Sequence, residues 1–283
     1  MNRKSLTYRK MKNRAIEGVS ALAALIGILA LAWILFVVIQ KGAAALNWDF
    51  FTKSVTPPNV PGGGVGNAIL GSAMLIGMAI VFGVPVGLLA GVYLAEFGRQ
   101  SRLGALVRFS SNVMMGIPSI IVGLFVYAAL VVPMGHYSAW AGAVALAILM
   151  LPVVARTTED MLGLVPNSLR ESALALGAPR WKVTLQVIFR AAKTGLITGV
   201  LLAVARVSGE TAPLLFTAFN SLLFWPSSPN EPVANLPVTI FNCAMSPYAD
   251  WQRLAWGAAL IITIGVLMLN ISTRFMLKRG SNG

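Results

Sequence analysis

The chain has 283 residues, 57% hydrophobic and only 11% charged, where a soluble domain carries about 25% charged residues. So little charge cannot cover a water-facing surface, which excludes a soluble globular protein and makes lipid the solvent for most of the chain. The net charge of +13 gathers at the ends of apolar runs, so it reads as loop charge beside a membrane and excludes a nucleic-acid partner.

The chain opens with a basic tail over 1–18 (Arg3, Lys4, Arg9, Lys10, Lys12, Arg14), followed by a charge-free run over 19–39. That run exceeds the 7–15 apolar residues of a signal peptide, so it reads as a retained first helix despite the Ala43-Ala44-Ala45 that follows. Residues 19–65 comprise this helix and an outer loop rich in breakers, from Thr56-Pro57-Pro58 to Gly62-Gly63-Gly64. The glycines lack the Lys-Ser/Thr ending and the preceding strand of a phosphate-binding loop. No nucleotide-hydrolysing motif occurs, so any ATP used must be hydrolysed by a partner.

Further apolar runs cover 65–95, 109–135, 137–155, 194–219 and 254–273. Each is long enough for a hydrocarbon core that needs about 20 helical residues, and none shows the alternation of barrel strands. The expected fold is all-α, a polytopic membrane protein with six transmembrane helices. Residues 66–276 form its main transmembrane domain, with a cytoplasmic loop over 157–193 and a tail over 277–283. Of the 22 basic residues, eighteen fall in the two tails and in the second-to-third and fourth-to-fifth connections. Only Lys41, Lys53 and Arg253 lie on the opposite side. The positive-inside rule then places both termini in the cytoplasm.

The large cytoplasmic loop carries helix punctuation. Ser168 and Glu171 are spaced as a capping box, Ala173 and Ala175 favour helix, Gly177 stands where a left-handed C-cap belongs, and Pro179 blocks continuation. The expected product is a short helix over 168–176 with Leu169, Ala173 and Leu176 on one face. Such a face suits either the lipid interface or docking to a cytoplasmic partner.

The fifth run holds the two charges that membrane depth makes expensive, Arg206 and Glu210. Four-residue spacing predicts a shared helix face. Pro213 cannot donate back to residue 209, which frees the Gly209 carbonyl. An arginine retained at depth suits an anion, because its planar fork stays ionised and meets two oxygens at once. Arg156, expected at the end of the fourth span, would line the cytoplasmic mouth. A purely structural ion pair is the competing reading of Arg206 and Glu210. Glu159 and Asp160 read as a solvated pair at a helix end. His136 and Cys243 read as loop residues with no ligand or catalytic partner, so neither a metal site nor an enzyme is expected.

The segment Glu171-Ser172-Ala173-Leu174-Ala175-Leu176-Gly177 resembles the EAA loop of ABC importer permeases, with Ser172 in place of the usual alanine and without the distal Leu-Pro. Thr56-Pro57-Pro58, the run from Pro118 to Tyr127, Arg156-Thr157-Thr158-Glu159, Gly209-Glu210-Thr211-Ala212-Pro213 and Asn235-Leu236-Pro237 together resemble the PstA-type permease family of bacterial phosphate importers. The resemblance implies the type I ABC importer permease fold in the bacterial inner (cytoplasmic) membrane. It implies a second permease subunit, two copies of a cytoplasmic ATPase and a periplasmic phosphate-binding protein as partners. ATP and Mg would be used by the ATPase, with no cofactor on this chain. The helix at Ser168, Glu171, Ala173 and Gly177 would be the coupling helix on which the ATPase docks. Sulfate or molybdate transport, an ATP-independent anion channel and a membrane subunit that carries nothing are the alternatives. An arginine fork suits any tetrahedral oxyanion, and the preference for phosphate comes from the resemblance.

Overall fold

The computed structural model describes the backbone of residues 3–60 and 62–280, and the side chains of residues 8–60, 62–272 and Phe275. Pro61 of the outer loop, residues 281–283 of the expected tail, and the side chains of Arg3, Lys4, Arg274, Lys278 and Arg279 lie outside this set.

Among the described residues, five helices are long and apolar enough to cross a membrane, or six spans if the bent pair Arg102–Gly116 and Ser119–Met134 is counted as one. Helix α1, Arg3–Ala43, joins the basic tail and the first span in one element. After the short α2, Trp48–Thr52, come α3, Gly66–Phe97, then α4, Arg102–Gly116, α5, Ser119–Met134, and α6, Ala139–Gly163. The short α7 is Asn167–Ala175, and α8 is Arg180–Val207. Two short helices, α9 (Ala212–Thr217) and α10 (Leu236–Ala244), precede α11, Ala249–Gly280.

Three sequence expectations are corrected. The third run is not one straight span, because α4 and α5 meet at 103°. Pro118 lacks an N–H and bars its predecessor from helical geometry, and Ile117 accordingly sits at φ −72°, ψ 130°. The helix of the fourth run continues to Gly163, and α8 begins at Arg180, so within the expected 157–193 loop only residues 164–179 lie outside these two long helices. The fifth run breaks after Val207, and α9 restarts beyond it with Pro213 in its first turn.

Helix α6 is the axis of the bundle. Gly83, Gly87 and Gly91 recur every fourth residue along α3 and let its backbone lie against α6. A Cβ at Gly87 would stand 2.8 Å from Val154 Cβ, and one at Gly91 would stand 2.5 Å from the Ala155 carbonyl oxygen. In lipid, helices associate through such close packing, since burial against another helix gains little over burial in acyl chains. The partners advance together along both chains, so α3 and α6 run parallel. Helix α8 runs antiparallel on another side of α6, with Gly195 against Met161 and Gly199 against Thr157. Leu75, Leu146, Met150, Val154, Ala203, Val207 and Leu214 fill the space between these helices and α9.

At the end of the bundle opposite α7, Phe50, Val65, Ala68, Leu254 and Ala258 pack where α2, α3 and α11 meet. The buried Asn67 donates to the carbonyls of Ser221, Leu222 and Phe224 and so orders the loop after α9. Helix α1 packs chiefly against α11, with Gly42 pressed on Trp256 and Leu260, and its apolar side chains are otherwise exposed in the isolated chain.

Candidate functional site: two arginines and a short capped helix

The antiparallel register of α6 and α8 places Arg206 level with Met150, near the middle of α6. Arg156 lies level with Val200, six residues closer to the α7 end of the bundle, or about 9 Å along the axis. Arg206 is exposed on the isolated chain and has no ion-pair or hydrogen-bond partner among the described residues.

The expected Arg206–Glu210 pair does not form. The α-helix ends at Val207, and Glu210 follows a turn in which its N–H donates to the Val207 carbonyl at 3.2 Å. Four-residue spacing therefore does not put the two on one face. Gly209 and Pro213 end the helix early, since one favours coil and the other removes a donor. What results is a guanidinium level with the middle of α6 and without a local counter-ion.

Arg156 is placed differently. It lies within α6, not at its end, and reaches Asp160 (Nε to Oδ2, 3.3 Å) and Glu159 (Nη1 to Oε2, 3.6 Å). The i, i+3 and i, i+4 spacing brings them together. The expectation of a solvated Glu159–Asp160 pair fails for Glu159. Its side chain is only 15% exposed and its Oε1 accepts from Arg108 Nε of α4 at 2.6 Å. The other oxygen, Oε2, is buried without a hydrogen-bond partner. Arg156 is thus flanked by carboxylates, whereas Arg206 is bare.

Helix α7 forms where the punctuation puts it, one residue earlier, but its caps are not both as expected. Pro166 precedes its first turn and no side chain caps it, so the Ser168–Glu171 capping box is not made. Pro166 supplies a fixed φ that launches the helix instead. At the other end Gly177 takes φ +81°. Its N–H donates to Leu174 (2.9 Å) and that of Ala178 to Ala173 (3.3 Å), the paired bonds of a Schellman closure. The predicted face divides. Ala173 packs on a cluster of Ala95, Leu162, Val165, Val183 and Ile188, while Leu169, Leu176 and the nearby Trp181 are exposed.

Arg170 anchors α7 to the bundle. It donates to Glu96 Oε1 (Nη2 2.9 Å, Nε 3.2 Å) and to the carbonyls of Leu162 and Val165. Both side chains of the pair are close to nine-tenths buried. Sequence reasoning treats Arg108 and Arg170 as loop charge and does not single out Glu96. The available signal is that Glu96 is the sole charge between Lys53 and Arg99. Cys243, expected in a loop, is instead buried in α10, and burial pushes its thiol up to about 11. His136 is in an exposed turn as expected.

Residues 83–279 match the family described as binding-protein-dependent transport system inner membrane component. The chain is 50% identical over 277 residues to the phosphate transport system permease protein PstA of Yersinia pestis, covering 98% of this chain and 94% of that protein. It is 52% identical over 272 residues to the protein of the same name in Haemophilus influenzae, with coverage of 96% and 95%. Among solved structures, a bacterial ABC transporter involved in the import of the acidic polysaccharide alginate matches with a TM-score of 0.67 at 13% identity, covering 96% of this chain and 98% of that one. The inward-facing MetNI methionine ABC transporter matches with a TM-score of 0.60 at 19% identity, covering 76% and 94%. At these identities the two structures speak to the fold alone.

Proposed function

The chain belongs to the PstA family of phosphate transport system permeases, within the binding-protein-dependent transport system inner membrane components, and from that premise we propose that it is one membrane-spanning subunit of an ATP-driven importer of inorganic phosphate. A second permease subunit covers the face on which Arg206 and Arg156 are exposed. A periplasmic phosphate-binding protein delivers the anion from the outer side. Two copies of a cytoplasmic ATPase dock at the coupling helices, and this chain offers α7 with its exposed Glu171, Leu176 and Trp181. ATP and Mg are used in those ATPases. The chain is multi-pass in the bacterial inner membrane with both termini cytoplasmic, as its basic residues direct.

The observation that carries this reading is the bare guanidinium of Arg206 at mid-depth. Phosphate leaving water needs compensating charge and several donors, and an ionised arginine supplies both. A cation with no counter-ion is costly inside a membrane, so its retention implies an anion in transit. Arg156, already balanced by Glu159 and Asp160, draws the anion onward less strongly and suits release toward the cytoplasm. Glu210, beyond the helix break, lines the outer approach and disfavours anions lingering there.

The test is phosphate uptake by the reconstituted complex. An Arg206→Ala variant loses a charge-assisted contact worth about 1.5–3 kcal/mol, so uptake falls by at least about tenfold while the complex assembles and hydrolyses ATP. Unchanged uptake would refute the assignment, as would failure of the variant complex to assemble.

A further inference from the structure

The inner end of α3 is a π-helical turn, Tyr93–Phe97, and arginines grip it from two sides. In an α-turn the Gly98 N–H would donate to Leu94. Here it donates to Tyr93 at 2.7 Å, which leaves the Leu94 carbonyl unsatisfied. Arg108 of α4 takes it at 3.0 Å, reaches the Gly98 carbonyl at 3.2 Å, and holds Glu159 of α6 with its remaining nitrogen at 2.6 Å. On the other side Glu96, within the same turn, is held by Arg170 of α7. An unbroken series of polar contacts therefore runs from α7 through Arg170, Glu96, the π-turn, Arg108 and Glu159 to Arg156.

We propose that this series is a relay that makes Arg156 respond to movement of α7, with Glu96, Arg108 and Arg170 as positioning residues. The inference rests on the proposed function, in which α7 receives the ATPase stroke and Arg156 stands at the cytoplasmic end of the anion path.

Two features distinguish a relay from a fixed brace. Single-turn π-segments are register defects that recur at functional sites, and here the turn is the junction between the two grips. The last link is also slack. Glu159 Oε2 is buried with no hydrogen-bond partner, and Arg156 Nη1 stands 3.6 Å away, just beyond bonding range. A buried carboxylate oxygen without a donor is unfavourable, so a shift of α4 by a few tenths of an ångström decides whether Glu159 takes Arg156 or leaves it to the anion. Movement of α7 carries Glu96 with it, displaces the turn that Arg108 grips, and swings Glu159. Arg156 drawn onto Glu159 releases phosphate, and Arg156 held by Asp160 alone, through Nε, keeps its Nη groups to bind it.

The experiment uses the complete importer in liposomes with phosphate-loaded binding protein, comparing Glu96→Gln, Arg108→Lys and the double variant. Arg108→Lys keeps a charge near Glu159 but cannot span two carbonyls and a carboxylate at once. The complexes should assemble and hydrolyse ATP at rates within about twofold of the parent, while phosphate moved per ATP falls by about tenfold. The double variant should lose no more than the worse single one, because both cut the same series. Normal transport per ATP, multiplicative losses in the double variant, or failure of both single variants to assemble would each overturn the relay. A parent complex that moves no phosphate would overturn the proposed function and the relay together, whereas a transporting parent with equally competent variants overturns the relay alone.

Discussion

Gly177 permits a test in which geometry alone is perturbed. Its φ of +81° lies in the left-handed region, and a Cβ added there meets nothing within 4 Å. Substitution therefore strains the backbone without creating a clash. An L-residue pays about 1–2 kcal/mol in that conformation, and a β-branched one pays more, while asparagine tolerates it. Helix α7 has nine residues, too few to persist on its own propensity, so the strain falls on the closed cap. One to two kcal/mol corresponds to roughly a 5- to 30-fold loss in its population. Amide exchange across α7 and ATPase stimulation by loaded binding protein should both follow the order glycine, asparagine, alanine, valine. A Gly177→Val complex that matches the parent would refute the cap argument. A Gly177→Asn complex as impaired as Gly177→Val would show that the side chain obstructs docking and that φ is irrelevant.

Two other substitutions probe the frame. Gly91→Leu drives a side chain into the Ala155 carbonyl and Thr158 and should destabilise the bundle by about 1–3 kcal/mol. Gly77→Leu, with nothing within 4 Å, should leave thermal unfolding in detergent unchanged, and equal effects would refute the α3–α6 seam. The Cys243 thiol, raised from 9.0 to about 11 by burial, stays protonated in the fold at pH values where the unfolded thiol ionises. Its contribution to stability is therefore level below about pH 9 and declines above it. Maleimide should label it slowly in the native protein and quickly after denaturation, and rapid native labelling would contradict its burial.

The helical class, the apolar segments and the glycine cap of α7 were legible because each rests on local chemistry. Hydrophobic length sets spans, and glycine followed by proline two residues on stops α7. The bend at Ile117-Pro118 was harder to see, because apolar composition passes unbroken through it and hydropathy masked the proline. Pro213 did signal an interruption in the fifth run, but not that the helix would already end at Val207. The charge contacts were illegible for a different reason. Arg108 meets Glu159 across 51 residues and Arg170 meets Glu96 across 74, so their pairing exists only once α3, α4, α6 and α7 have packed. The local spacing of Arg206 and Glu210 suggested a pair that the helix end removes.

The right-angled junction of α4 and α5 bears on how the chain enters the bilayer during synthesis. Helix α4 has 15 residues and α5 begins after the corner, so neither half alone meets the length of about 20 residues at which the translocon partitions a segment into lipid. Gly123 of α5 finds its seat against Pro213, about ninety residues further along the chain. Until α9 emerges from the ribosome that seat does not exist, so this region cannot settle before residue 213 is made, and a nascent chain halted before it should remain open to protease there.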